Sequence, residues 1–414
     1  MTSPATLAVF SGYGIELEWM IVDSQSLAVR PIAHQLLRAM AGRDTSDVDR
    51  GPLGWSNELV LHLIELKNTK PTPALDALPS AFQEEVRSVN RTLAAFGCRL
   101  MPTGMHPWMN PRAETLLWPS GDAEIYATFD RIFNCRSHGW ANLQSMHINL
   151  PFSEDLQFAR LHAAIRLVLP LLPALAASSP IADGTNTGFM DYRLEVYRLN
   201  ASPVPSVTGQ IIPEAVDSRA DYEANILAPM YREIAPHDPA GVLRHEWLNS
   251  RGAIARFDRN AIEIRLADTQ ECPHANIAIA CAMVAVVKAL YSERWARLDG
   301  HGMATESLAG ILLACIRDAD QAIIDAPELL QSLGWRERRC RAGELWAHLI
   351  DATVSEEVCR DARLRDALRV ILENGPLARR ILRAMAGDYS QSRLHEVYAR
   401  LCECLEEGQM FVVA

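Results

Sequence analysis

Glu16 and Glu18 stand two residues apart in the run Gly14-Ile15-Glu16-Leu17-Glu18-Trp19. Successive side chains of a β-strand point to opposite faces. The two carboxylates therefore share one face, and Ile15, Leu17 and Trp19 share the other. The strand rise sets the acids roughly 6.5–7 Å apart. Anionic oxygens on a rigid, apolar-backed strand suit a hard divalent cation. A lone E-x-E is also what the solvated face of an amphipathic strand looks like, so the case rests on recurrence.

Three more segments repeat the logic. Residues 261–268 put Glu263 and Arg265 opposite Ile262, Ile264 and Leu266. Residues 144–150 put Ser145, His147 and Asn149 opposite Met146, Ile148 and Leu150. Residues 58–65 put Glu58 and His62 on one face and Glu65 on the other, unless a bulge intervenes. Taken singly, Glu-Ile-Arg could be a surface charge pair and His147 a satisfied polar residue. Glu65 lies between Ile64 and Leu66, and burying a carboxylate without a partner is costly, so a cation or an arginine is implied there. Carboxylates with one imidazole favour Mg²⁺ or Mn²⁺ over a soft metal. An acidic face holding several such ions is a ready site for the phosphates of ATP. The chain has no P-loop, dinucleotide fingerprint, G-x-S-x-G or H-E-x-x-H, so ATP would be held by metal bridging on the sheet.

The elements that must position these groups alternate in the first half. Strands are expected over 9–22, 55–67, 99–101, 143–150 and 261–268. Pro71 and Pro73 stop the second. Helices are expected over 33–40 and 78–96, the latter with Phe82, Val86, Val89, Leu93 and Phe96 on one face. A further helix over 156–177 should bend at Pro170 and Pro173. Residues 178–260 are loop-rich, with a helix over 221–231. From Ala275 on the chain reads as helices, broken at Gly300, Gly302, Pro327 and Gly375-Pro376. Strands before residue 270 and helices after it predict an α+β fold, an antiparallel sheet with helices on one side.

With 414 residues, 49% hydrophobic and 22% charged, the chain has the composition of a globular protein. A net charge of −11 argues against nucleic acid as a partner. Nine cysteines without a C-x-x-C pair suggest reduced thiols in a cytoplasm, neither a disulfide framework nor a zinc ribbon. The first ten residues show no secretory signal. The apolar runs 167–177 and 277–290 fall short of the ~20 residues a membrane span needs, so they read as buried helices and no membrane partner is expected.

An ordered set of motifs resembles the bacterial glutamate–cysteine ligase type 2 family, the carboxylate–amine ligases of the glutamine synthetase-like superfamily. The motifs are G-I-E-L-E at 14–18, E-L-V-L-H-L-I-E at 58–65, T-G-M-H-P-W at 103–108 and Q-S-M-H-I-N at 144–149. A-A-S-S-P at 176–180, G-T-N-T-G-F-M-D-Y-R at 184–193 and E-I-R-L-A-D-T at 263–269 follow. The resemblance covers roughly residues 10–290. It implies a curved antiparallel sheet forming an open funnel, with helices outside and metals and ATP on the concave face. Residues 1–290 would form the catalytic region, and the helical part 291–414 would pack on the same domain.

The implied reaction has two steps. ATP phosphorylates the γ-carboxylate of glutamate, and an amine, by default that of cysteine, displaces phosphate to form an amide. By position, the resemblance makes Glu16, Glu18, Glu65, His147 and Glu263 metal ligands, with Glu58 a further one. Glu263 and Arg265 become the catalytic pair, Arg265 facing the phosphates. Gly104, Met105 and His106 would line the substrate pocket, with Gln144 and Asn149 beside it. Arg193 would bind a carboxylate or phosphate, unless it is a plain surface arginine. Many relatives carry H-x-H where this chain has Ser145-Met146-His147, which puts one metal or nucleotide contact in question. The long segment between Arg193 and Glu263 would set the acceptor. A phosphotransferase on the same fold and a non-catalytic binding protein are the rival readings. The helices after residue 275 could support a homodimer or serve only as core.

Overall fold

The computed structural model describes residues 6–121, 123–298, 303–355 and 359–413. The strands are β1 (Gly14–Asp23), β2 (Asp47–Asp49), β3 (Leu53–Asn57), β4 (Leu63–Asn68), β5 (Cys98–Met101), β6 (Ser145–Pro151), β7 (Ile181–Ala182), β8 (Thr185–Asn186), β9 (Ala253–Arg256), β10 (Ala261–Asp268), β11 (Ile323–Ile324) and β12 (Cys340–Arg341). The main sheet runs β2-β3-β4-β1-β6-β10-β9, with β5 added to the far half of β1. Every pairing in it is antiparallel. The sheet is open, and helices pack on its apolar side, so the α+β expectation holds.

The alternation read in the sequence builds this sheet directly. Ile15, Leu17 and Trp19 on β1, Ile64 and Leu66 on β4, Met146 and Ile148 on β6, and Ile262 and Ile264 on β10 are buried on one side. They share a core with the helices Leu78–Ala94, Asp155–Val168 and Pro273–Tyr291. Helix Pro273–Tyr291 is apolar on almost every side, with Lys288 at its exposed last turn, as a nearly enclosed helix must be. It is long and apolar enough to cross a membrane, yet 89% of its apolar window is buried inside the protein. Helix Gln391–Glu407 covers the far end of the sheet, where Leu394, Val397, Tyr398 and Leu401 join Met20, Val22 and Met101 in a second cluster.

Two expectations change. Residues 55–67 form no single strand. They make the hairpin β3–β4, in which residues 58–62 turn, so Glu65 lands on the same face as Glu18. The all-helical reading beyond Ala275 misses the small antiparallel pair β11–β12. The helix expected over 156–177 does bend, running as Asp155–Val168, a 3-10 turn Leu169–Leu171 and a helix Pro173–Ala176. The break at Gly300 and Gly302 lies outside the described residues. All nine cysteines are free and buried.

Candidate functional site

A cavity of about 530 Å³ lies over the polar face of the sheet. Its floor is fixed by strand register. Glu18 pairs with Glu65 and Glu16 with Lys67 across β1–β4, and Glu16 pairs with His147 across β1–β6. Glu263 stands opposite Asn149 across β10–β6. Residues paired across antiparallel strands point the same way, so these groups converge.

The imidazole of His147 is the hub. Its Nδ1 lies 3.1 Å from Glu16 Oε2 and 3.7 Å from Glu263 Oε1, while Nε2 lies 3.8 Å from Glu18 Oε1. Ser145 donates to Glu18 Oε2 from its backbone N–H (2.7 Å) and from Oγ (3.1 Å), and Oγ sits 2.9 Å from His147 Nε2. Asn149 Nδ2 donates to Glu16 Oε1 at 3.0 Å. Glu65 accepts from Ser56 Oγ at 2.6 Å and pairs with Lys67. Glu263 is flanked by two guanidiniums, Arg265 Nε at 3.0 Å and Arg256 Nη1 at 3.2 Å.

Crowding of like charge in a poorly hydrated place has the expected electrostatic effect. Burial and the Glu16 charge push Glu65 up to about 7 against the pull of Lys67. Burial, with the charges of Glu18 and Glu65, pushes Glu58 well above the carboxylate range. For Glu16, burial is outweighed by the hydrogen bond and charge of His147 and by Lys67, so its carboxyl is lowered. Burial would lower His147, but its hydrogen bond to Glu16 and the charges of Glu18 and Glu263 raise it instead. Two triads bring ligand atoms within 4.8 Å of one another, Glu16–His147–Glu263 and Glu18–Glu65–His147. Carboxylate oxygens with one imidazole fit Mg²⁺ or Mn²⁺, and the raised carboxyls mark a deficit of positive charge that such an ion would relieve.

Other residues expected at the site lie elsewhere. Gly104, Met105 and His106 are buried behind the cavity rather than lining it. Gly104 is pressed against Asp268, where an added Cβ would come within 2.6 Å of a carboxylate oxygen. His106 Nε2 meets Leu27 O at 2.8 Å, and burial lowers its ring to about 4. Gln144 is fully buried, and its backbone N–H donates to Gly104 O. Arg193 does reach the cavity wall and does bind a carboxylate, that of Asp268, while its Nη2 donates to Leu266 O at 2.8 Å. Both partners are almost wholly buried, so this arginine fastens the end of β10 to helix Tyr192–Tyr197. It is not a plain surface residue.

Several cavity residues escaped the sequence reading. Lys67 shares Glu65's face by the same period-two rule, and Arg256 belongs to the short alternation of β9. Tyr126, Phe129, Trp140 and Trp247 form an aromatic wall, with Phe129 at 5.3 Å from Trp140 and 5.9 Å from Trp247. Phe129 comes from the amphipathic helix Ala123–Phe133 and Trp247 from a 3-10 turn, segments with no catalytic signature.

Comparison with known proteins supplies the family. A protein of Archaeoglobus fulgidus named "Uncharacterized protein" is 31% identical over 399 residues, covering 96% of this chain and all of that one. A Bradyrhizobium diazoefficiens protein named "Putative glutamate--cysteine ligase 2" is 27% identical, covering 65% of this chain and 57% of its own length. The crystal structure of glutamate–cysteine ligase from Francisella tularensis in complex with AMP superposes with a TM-score of 0.61 over 95% of this chain and 88% of that one, at 13% identity, a likeness of fold. The sequence pattern of glutamate-cysteine ligase family 2 (GCS2) matches residues 13–403, and this chain belongs to that family.

Proposed function

We propose that the protein is an ATP-dependent carboxylate–amine ligase that activates the γ-carboxylate of a glutamate-like acid and joins it to an amine, with γ-glutamylcysteine formation as the reference reaction. The observation carrying this reading is the floor of the cavity, where five carboxylates and one imidazole meet the guanidiniums of Arg256 and Arg265. Family membership supports it, and the AMP in the Francisella enzyme's structure supports an adenine nucleotide as co-substrate.

A carboxylate oxygen of the acid takes the γ-phosphoryl group of ATP, leaving ADP and an acyl phosphate. The amine nitrogen then attacks the acyl carbon, the C–O bond to phosphate breaks, and an amide and inorganic phosphate result. Arg265 and Arg256 flank Glu263 and are suited to steady the negative oxygens of the transferring group. The amine must lose a proton. The departing phosphate can take it at an oxygen. Mg²⁺ or Mn²⁺, when bound, would neutralise phosphate charge, and Glu16, Glu18, Glu65, His147 and Glu263 are the residues that would hold it. The aromatic wall and the segment between Arg193 and Glu263 enclose the opposite side and exclude water. The division into a catalytic region 1–290 and a helical part 291–414, and a cytoplasmic setting, belong to the same proposal.

The test offers purified protein, ATP, Mg²⁺ and glutamate a series of amino acids and small amines, with ADP and phosphate measured. Phosphate release that depends on one amine, with an amide product of matching mass, supports the ligase. A stable phosphorylated product without amine dependence makes it a phosphotransferase. No stimulation by any amine overturns glutamate as the donor.

A further inference from the structure

ATP, an acid and an amine must share the sheet cavity if the ligase reading above holds, and the inference here rests on that reading. The polar floor has chemistry for the first two. Its carboxylates, its imidazole and the guanidiniums of Arg256 and Arg265 suit phosphates, the cations that bridge them and the carboxylates of the acid. They leave the group attached to the amine nitrogen unaccounted for.

Another stretch of the lining is apolar. Leu59, Ile125, Tyr126, Phe129, Trp140 and Trp247 all line the cavity. They come from the turn between β3 and β4, helix Ala123–Phe133, helix His138–Ala141 and the 3-10 turn Glu246–Leu248. Phe129 is buried in the main core, and the others are half-buried and packed against that core. A half-buried side chain in a cavity wall keeps part of its surface toward the cavity. The ring of Phe129 is tilted by 54° to that of Trp140 and by 43° to that of Trp247, so the surface is curved rather than flat.

The middle of this wall has little to offer a polar group. Phe129 has no donor or acceptor, and Trp140 spends its one donor, Nε1, on Asn200 O at 3.0 Å. An adenine laid there would take its ring nitrogens out of water without pairing them, which is costly. An aromatic or branched aliphatic group gives up no hydrogen bond and gains apolar burial, with tilted ring contacts where it is aromatic. The side chain of cysteine, one methylene and a thiol, is too small to cover such a surface.

We propose that the amine substrate carries an aromatic or similarly large apolar group, which packs on Phe129, Trp140 and Trp247 while its nitrogen faces the acyl phosphate. The chemistry is unchanged: the N–C bond forms as the C–O bond to phosphate breaks.

The experiment compares amines with the full chain, ATP, Mg²⁺ and glutamate, measuring phosphate release and the mass of the amide. One series is L-alanine, L-cysteine, L-leucine and L-phenylalanine. The other is ethylamine, cysteamine, isoamylamine and phenethylamine, which lack the carboxylate. In at least one series kcat/KM should rise with apolar size. The phenyl member should exceed the methyl member by at least about tenfold, since a hydrophobic pocket reads even one methylene by about that factor. Trp247→Ala and Ile125→Ala should each shrink that ratio by about threefold or more and leave KM for ATP within about twofold, and Trp247→Phe should keep most of the ratio. Both side chains are half-buried, so their truncation leaves the fold intact, with circular dichroism as the check. Methyl and phenyl members used equally well in both series, or cysteine preferred to phenylalanine, overturns the proposal and leaves the ligase reading standing. A raised KM for ATP in Trp247→Ala with an unchanged amine ratio also overturns it, by placing the adenine on the wall. So does an equal loss toward every amine. Phosphate release that no amine stimulates overturns the ligase reading itself, and this proposal with it.

Discussion

Replacing Glu65 with glutamine should make the metal-free protein more stable at alkaline pH and leave it unchanged in mild acid. In the folded chain this carboxyl titrates at about 7, against an ordinary 4.5, because burial and Glu16 outweigh Lys67. At 1.36 kcal/mol per pH unit, keeping Glu65 ionised costs the folded state about 3 kcal/mol once the pH is well above 7. A carboxyl raised on folding lends its full stability below the unfolded value, and that stability is lost as the pH rises through the folded value. Its window is therefore pH 4.5 to 7. Glutamine keeps an oxygen for Ser56 Oγ and removes the charge. It also deprives Lys67 of its partner, but that side chain is 42% exposed and water takes the partner's place. The net gain for Glu65→Gln is about 1–3 kcal/mol at pH 8 and within about 0.5 kcal/mol of zero at pH 4. Urea unfolding in EDTA at both pH values measures it. Added Mn²⁺ should stabilise the native chain and do so less in the variant, because a ligand that binds only the folded state raises its stability by mass action. A variant less stable than the native chain at pH 8, or offset equally at both pH values, would refute the reasoning.

Other perturbations separate groups that act from groups that support. Arg193→Met breaks an almost wholly buried ion pair with Asp268 and should cost about 3–5 kcal/mol in urea unfolding, so a loss under about 1 kcal/mol contradicts its structural role. Gly104→Ala drives a Cβ against the Asp268 carboxylate, which Ser178, Ser179 and Arg193 hold in place, and should cost about 1–3 kcal/mol. A wild-type melting temperature for that variant would show the strand end to be free to move. Arg256→Ala removes one of two guanidiniums on Glu263 and should lower kcat/KM for ATP turnover about 10²-fold, with urea stability falling by less than about 2 kcal/mol. Unchanged kinetics would remove Arg256 from the reaction.

The alternation rule made the floor of the cavity legible, because strands with a buried back must send their other side chains the same way. Glu16, Glu18, His147, Glu263 and Arg265 follow from it without further information. Glu65 fell on the wrong face because the turn at residues 58–62 is made of Glu58, Leu59, Val60, Leu61 and His62, without glycine or proline to mark it. His62 shares no polar face with Glu58. It is buried with Nε2 on Ala141 O at 2.7 Å, and its ring is lowered to about 4 by loss of water. Lys67 and Arg256 obey the same rule, but a basic residue on a strand carries no motif that marks it. The loop at 103–108 lies behind the cavity for another reason. Its Gly104, Met105 and His106 hold the layer behind the site, and a motif marks a packing constraint as readily as a contact with substrate. The aromatic wall comes from segments whose placement depends on tertiary contacts alone.

Ser145 settles a question of proton position. Its hydroxyl hydrogen goes to Glu18, so its oxygen can only accept from His147 Nε2, and that nitrogen carries a proton. Without an ion, Nδ1 donates to Glu16, and a cation between Glu16 and Glu263 would displace that proton and take the Nδ1 lone pair. Of the two triads that share the ring, one owns a nitrogen donor and the other is left with oxygens alone. Ser145 would thus make two neighbouring cation pockets unequal. If ions bind, one tolerant of nitrogen, such as Mn²⁺, would be favoured in the first, and a strictly oxygen-seeking Mg²⁺ in the second.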